Sequence, residues 1–180
     1  TEFTGIDMEM GFIKDENDIM DVVEELMKYI IKHVINNCKF ELNILNVKLE
    51  IPKIIPRIKM KEVKLMLQKE GKKLGDDDDL DAEAEKLIYK IVNKKYNSEF
   101  VFVTDYPWSK RPFYHMRPEN SKNLTKSFDL IFNGTEIATG AQREHRYNIL
   151  KQQGKEKGVN LDLIKGYNDI FRFGCPSHGG

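Results

Sequence analysis

The stretch Ser127 to His145, SFDLIFNGTEIATGAQREH, sets carboxylates, a hydroxyl and a guanidinium close together in sequence. Asp129, Glu136, Thr139 and Arg143 are the groups concerned, and they alternate with small residues, Ala138, Gly140 and Ala141. Small side chains let a guest approach the backbone, and a carboxylate beside an arginine suits a polar ligand. The plainer alternative is a hairpin with one solvated face, the usual arrangement in antiparallel sheets.

A hairpin is what must position these groups. Asn133-Gly134 lies between two apolar-rich runs, and both residues tolerate the positive φ of a type I′ turn. Closing the turn there pairs Phe132 with Thr135 and Leu130 with Ile137 on one apolar face. Asp129, Ile131, Glu136 and Ala138 fall on the other. Strict alternation then sends Thr139 and Arg143 to the face opposite Glu136, so one ligand can meet all three only if the strand slips by one residue. A β-bulge between Glu136 and Thr139 is therefore predicted. A second strand is expected at Thr1 to Met10, TEFTGIDMEM, where Ile6, Met8 and Met10 alternate with Asp7 and Glu9.

Behind these strands the periodicity predicts helices. Asn17 to Asn37 carries Ile19, Val22, Val23, Leu26, Met27, Ile30, Ile31, Val34 and Ile35 at steps of three and four, a stripe that packs on a sheet. Phe40 to Leu49 reads as an extended or hairpin connection closed by Pro52 and Pro56. Lys61 to Glu70 is a short helix ended by Gly71, and a further helix runs from Leu80 to Lys95. The four aspartates Asp76 to Asp79 are read as a solvated loop, because consecutive residues seldom converge on one ion and EF-hand spacing is absent. Phe100 to Thr104, FVFVT, is a buried strand. Helices follow at Tyr147 to Lys157 and Leu161 to Phe171, and the tail GCPSHGG is expected to be irregular. The sum is an α+β fold, an antiparallel sheet flanked by helices.

The bulk numbers fit one globular domain: 180 residues, 40% hydrophobic and 10% aromatic. Lys plus Arg and Asp plus Glu number 29 each, so overall charge gives no support for a nucleic-acid surface. With no signal-like start and no apolar run able to cross a bilayer, a soluble cytoplasmic protein is expected. In that setting Cys38 and Cys175 are free thiols, and Asn123-Leu124-Thr125 and Asn133-Gly134-Thr135 are chance matches to a glycosylation pattern. His33, His115 and His145 are assigned no catalytic role.

At TEFTGIDMEM, RPFY, SFDLIFNGTEIATGAQREH and PSHGG, in that order along the chain, the sequence resembles the catalytic domain of class II aspartyl-tRNA synthetases of the archaeal and eukaryotic cytosolic type. TEFTGIDMEM is similar to the second half of the family's motif 2, and EIATGAQREH to its EI-S-SGAQR-H segment. Asparaginyl-tRNA synthetases usually read GSQRE-E there; Ala141 and His145 resemble the aspartyl side.

The resemblance implies a class II synthetase core, partial in this chain. It implies that Glu136 holds magnesium and ATP phosphates. Thr139, where the family commonly has serine, would contribute a hydroxyl to magnesium and to the aspartate substrate. Arg143 would grip the substrate's side-chain carboxylate with two charge-assisted hydrogen bonds. Asp7 and Glu9 would organise the amino-acid subsite from behind, and His178, before motif 3, would approach the amino acid. The implied cofactor is Mg2+, with L-aspartate, ATP and tRNA(Asp) as partners and a homodimer as the parent assembly. No enzyme nucleophile is needed: the aspartate carboxylate attacks the α-phosphorus of ATP, and a ribose hydroxyl of the tRNA then takes the aspartyl group.

Measured against the family, residues 1–180 run from the second half of motif 2 to just before motif 3. Motif 1, the FR-E and G-GLER segments and the anticodon-binding OB-fold have no match in them, nor do the two arginines the family uses on ATP phosphates. The expectation is a fragment unable to activate aspartate alone. Two alternatives stand beside it: an asparaginyl or non-discriminating aspartyl enzyme, and a non-catalytic amino-acid-binding module on the synthetase scaffold.

Overall fold

A computed structural model describes residues 2–180. Thr1, the first residue of the strand expected at the amino terminus, lies outside them.

The long amphipathic run forms α1, Glu16–Asn37. It starts where Asp15 caps it, the side chain accepting the Asn17 N–H at 2.8 Å. Its inner face buries Ile19, Met20, Val23 and Ile31. A second helix, α2 (Lys39–Leu45), follows at once and ends on Asn46 in the left-handed region (φ 51°). This replaces the extended connection expected at Phe40 to Leu49. Without a neighbouring strand to supply ladder partners, the segment satisfies its own backbone as a helix, leaving Phe40, Ile44 and Leu45 exposed.

Strand β2 (Arg57–Lys59) leads directly into α3 (Met60–Lys69), which ends before Gly71 at φ 89°. Helix α4 (Ala82–Tyr96) is capped by Asp81, whose side chain accepts the Ala84 N–H at 2.8 Å. Then come β3 (Phe100–Thr104), β4 (Ser127–Phe132) and β5 (Thr135–Ala141). The sheet order is β2-β3-β4-β5. Its β3–β4 and β4–β5 pairs are antiparallel as expected; β2 lies parallel to β3, joined to it through α3 and α4.

Alternation along the strands makes two cores. Ile58, Val101, Val103 and Ile131 face Val63 and Leu67 of α3 and Ile88 and Val92 of α4. Phe100, Phe102, Phe128 and Leu130 face Ile19, Met20 and Val23 of α1. On that side Phe100 stacks on Phe132 at 4.4 Å between ring centres, and Phe102 meets Phe128 edge-on at 5.5 Å.

Helices α5 (Tyr147–Glu156) and α6 (Lys165–Ile170) follow the hairpin. The second is shorter than the expected Leu161 to Phe171, because residues 161–164 form turns and Phe171–Phe173 tightens to a 3-10 turn. Two terminal segments also depart from expectation. The amino-terminal strand shrinks to β1 (Met10–Gly11), with residues 2–9 outside regular structure. The tail, expected to be irregular, supplies β6 (His178–Gly179), antiparallel to β1. The tail lies against the end of β5, with Ala141 and Gly180 exchanging backbone hydrogen bonds of 2.9 and 3.2 Å. Glycine is required there: a side chain at Gly179 would collide with the Ala141 carbonyl and Ile19.

Candidate active site

Asn133 (φ 50°) and Gly134 (φ 79°) close the hairpin as a two-residue turn, and Phe132 pairs with Thr135. One step further the register slips. Ile131 pairs with Glu136, but Leu130 pairs with Ala138, so Ile137 is the extra residue of a bulge and is 45% exposed. The bulge falls inside the interval predicted for it. It corrects two details of the regular register: Leu130 does not pair with Ile137, and Ala138 turns to the apolar face, packing against the α1-side core. Glu136 opposite Ile131 and Thr139 opposite Asp129 now project from one face of the sheet, the side of α3 and α4.

Beyond β5 the pleat continues. Arg143 donates its N–H to the His178 carbonyl at 2.9 Å, and Ala141 pairs with Gly180, so Thr139, Ala141 and Arg143 follow one another on the same side. Gly140, turned the other way, lies where any Cβ would strike the Phe128 ring.

Arg111 ties this face together. Its guanidinium donates to Asp129 Oδ2 at 2.6 Å and to Thr139 Oγ1 at 3.2 Å, and lies 3.7 Å over the Tyr106 ring. The ion pair is well buried, with side chains 11% and 5% exposed. The segment after β3 delivers Arg111 at the end of a 3-10 turn, Trp108–Lys110, flanked by Pro107 and Pro112.

A cavity of about 480 Å³ opens beside these groups, walled by Glu9, Tyr114, Arg143 and His178, with Phe113, Ile164, Tyr167 and Phe171 supplying an aromatic and apolar side. Arg143 stacks on Tyr114 at 5.0 Å, and its Nε lies 3.4 Å from Glu9 Oε1. That contact uses one edge of the guanidinium and leaves the terminal nitrogens for a guest. His178 Nδ1 sits 3.0 Å from the Pro176 carbonyl, which directs Nε2 elsewhere. The structure thus brings Glu9, Arg143 and His178 around one cavity and gathers Glu136 and Thr139 with Asp129 on the adjoining face. It does not bring Asp7 to the cavity; that residue is exposed and is not among the lining side chains.

Electrostatics set the two parts apart. Glu136 is open to solvent as a residue, but partial desolvation of its carboxyl and the nearby charges of Asp129, Glu85 and Asp79, offset by Arg111, push it up to about 7. His115, buried beside Arg143 and Arg111, is held down to about 3 and is neutral.

Asp129 Oδ1 is buried and has no hydrogen-bond partner. An unpartnered carboxylate oxygen, a nearby hydroxyl and a carboxylate crowded by like charge fit a hard divalent cation. Among the described residues no three His, Cys, Asp or Glu side chains form a complete metal cage. Mg2+, which keeps waters and prefers one or two carboxylates plus substrate phosphates, does not require one. Glu136, Thr139 and Asp129 would hold it.

Sequence reasoning assigned no role to Arg111 or Tyr114. Both stand in the RPFY segment, but only the fold carries that segment across the ends of β4 and β5. It also read Asp76 to Asp79 as solvated loop. The four are exposed, yet Ser109 Oγ lies 3.4 Å from Asp77 Oδ1, and Asp79 adds to the field on Glu136.

A largely antiparallel sheet thus holds an acidic, hydroxyl-bearing face and, further along the same strand, an arginine-lined cavity. The chain belongs to the tRNA synthetases class II (D, K and N), whose family model matches residues 1–180. It is 39% identical over 184 residues to an aspartate–tRNA(Asp/Asn) ligase of Aeropyrum pernix, and 41% identical over 180 residues to an aspartate–tRNA(Asp) ligase of Pyrococcus abyssi. Each alignment covers 99% of the chain and 41% of the relative, so the chain spans about two fifths of the curated relatives it matches. An aspartyl-tRNA synthetase structure from Entamoeba histolytica superposes with a TM-score of 0.91 at 31% identity, over 95% of this chain and 36% of that one.

Proposed function

We propose that this chain forms part of the catalytic domain of an aspartate–tRNA ligase, from the second half of motif 2 to just before motif 3. The reaction is ATP-dependent formation of aspartyl-adenylate and transfer of aspartate to tRNA(Asp). The bulge at Ile137 carries this reading: it sets Glu136 and Thr139 together on the Asp129 face, next to the cavity of Arg143.

In this reading Arg143 takes the side-chain carboxylate of aspartate through its free terminal nitrogens, with Glu9 and Tyr114 fixing the guanidinium plane. Arg111 orients the Thr139 hydroxyl and pairs with Asp129. Bound Mg2+ would neutralise charge on the ATP phosphates. No side chain acts as a nucleophile; the site works by holding the attacking carboxylate and phosphate in line and by stabilising charge. We assign the parent protein to the cytoplasm and to a homodimer on family grounds.

ATP–pyrophosphate exchange driven by aspartate tests the proposal in a protein joining this chain to the segments its relatives carry. Exchange with aspartate, and little with asparagine, supports it. Aspartate binding without exchange favours the non-catalytic module, and preference for asparagine rejects the aspartate assignment. The isolated chain is expected to be inactive, and clear turnover by it would overturn that expectation. The name of the Aeropyrum relative also favours a second reading, charging of both tRNA species, which aminoacylation of tRNA(Asp) and tRNA(Asn) distinguishes.

A further inference from the structure

Glu85 stands in the first turn of α4 and faces the hairpin, not solvent alone. Its Oε2 accepts the backbone N–H of Glu136 at 3.0 Å, a contact between residues 51 apart in sequence. Glu136 immediately precedes the bulged Ile137, so this bond holds the strand where the ladder loses its regular register. The turn itself rests on the neighbouring residue of the helix: a Cβ on Gly134 would stand 3.0 Å from Lys86 Cα. Two successive residues of α4 therefore grip the hairpin, one by close approach at the tip and one by a hydrogen bond at the bulge.

The charge of Glu85 runs against expectation for a purely structural contact. It adds a negative group to a face that already holds Asp129 and Glu136, and it contributes to the field that opposes ionisation of Glu136. A neutral acceptor would make the same bond without that repulsion. A carboxylate is useful there if the face receives positive charge, since it then both fixes the bulge and adds to the attraction.

We propose that Glu85 is a positioning residue for the Glu136–Thr139 pair, clamping the bulge so that both side chains meet one divalent cation. This deepens the reading under Proposed function and rests on its cation site. The clamp acts through the backbone; Glu85 itself touches neither cation nor substrate.

The test is amide hydrogen exchange and Mn2+ paramagnetic broadening by NMR on the protein and its Glu85→Ala and Glu85→Gln variants. In the parent, Mn2+ should broaden the Glu136 and Thr139 amides. Glu85→Ala should speed exchange at Glu136, Ala138 and Thr139, and raise the Mn2+ midpoint about tenfold, as loss of an outer-shell partner does. Glu85→Gln keeps an acceptor oxygen and should restore slow exchange, with a midpoint within about threefold of the parent. Unchanged exchange at all three amides in Glu85→Ala, or equal acceleration in both variants, overturns the clamp. Absence of broadening in the parent instead removes the cation reading, and the exchange rates then judge the clamp by themselves. A general loss of amide dispersion in Glu85→Ala throws the decision onto Glu85→Gln: fast exchange there overturns the proposal, and slow exchange supports it.

Discussion

Replacing Arg111 by methionine should destabilise the protein by about 3 to 5 kcal/mol, because it leaves Asp129 buried and uncompensated. The pair is short at 2.6 Å, with Asp129 only 5% exposed. Removing the guanidinium also uncovers the Tyr106 face, 3.7 Å below it, a cation–π contact worth about 1 to 2 kcal/mol in a desolvated setting. Opposing this, Arg111 Nε and Asp129 Oδ1 lack partners, so the network is not fully satisfied and the low end, about 3 kcal/mol, is expected. For a chain of this size that is a fall in Tm of about 6 to 12 °C. Urea unfolding followed by Trp108, the single tryptophan, reads the change directly. Asp129→Asn should cost a similar amount. The double variant should be little worse than either single one, giving a coupling energy of about 2 to 3 kcal/mol. Losses below about 1 kcal/mol, or additive losses, would show that the pair behaves as a solvated ion pair and would refute the buried network.

Three further outcomes follow from the same face. Gly140→Ala drives a Cβ into the Phe128 ring and should cost about 1 to 3 kcal/mol, read as a lowered Tm. Glu136 has its folded pKa raised to about 7 from 4.5, so ionising it opposes folding. Its contribution is fully present below about pH 4.5 and is lost as pH rises through 7; a Glu136→Gln variant should therefore gain stability relative to the parent between those values. A constant difference in Tm across that window would refute the shift. Arg143→Lys keeps the charge but loses the planar fork, and should weaken aspartate binding about 10- to 100-fold by calorimetry.

What the residues themselves specified was local. The Asn-Gly turn, the stripe of α1 and the buried FVFVT strand each followed from a rule acting over a few positions. The bulge was legible for a different reason: a regular strand would have split Glu136 from Thr139 and Arg143, so function and alternation conflicted, and a slip was the simplest resolution. Misses came where partners distant in sequence decide. Residues 2–9 alternate well, yet alternation does not create a neighbouring strand, and only Met10–Gly11 pair, with the tail. Gly179 looked like a breaker, and it is needed because its bare Cα fits against the Ala141 carbonyl. Arg111 carried no periodic signal at all; its role depends on where the segment between β3 and β4 crosses the sheet.

The site also explains why its arginines are not interchangeable. Arg111 has its charge consumed by Asp129 and lies flat on Tyr106, so in the proposed function it would act on a guest mainly by orienting the Thr139 hydroxyl. Arg143 meets Glu9 only at 3.4 Å through Nε and lines an open cavity, so its terminal nitrogens remain available. Neutral His115 is buried within the field of both guanidiniums and adds no third positive charge. In the proposed function this is a division across a few residues of one strand: an acidic end that would gather a cation with its phosphates, and a cationic end that would read a carboxylate. Opposite charges at the two ends would orient a guest bearing both groups before any reaction began, which is what the proposed catalysis without a nucleophile requires.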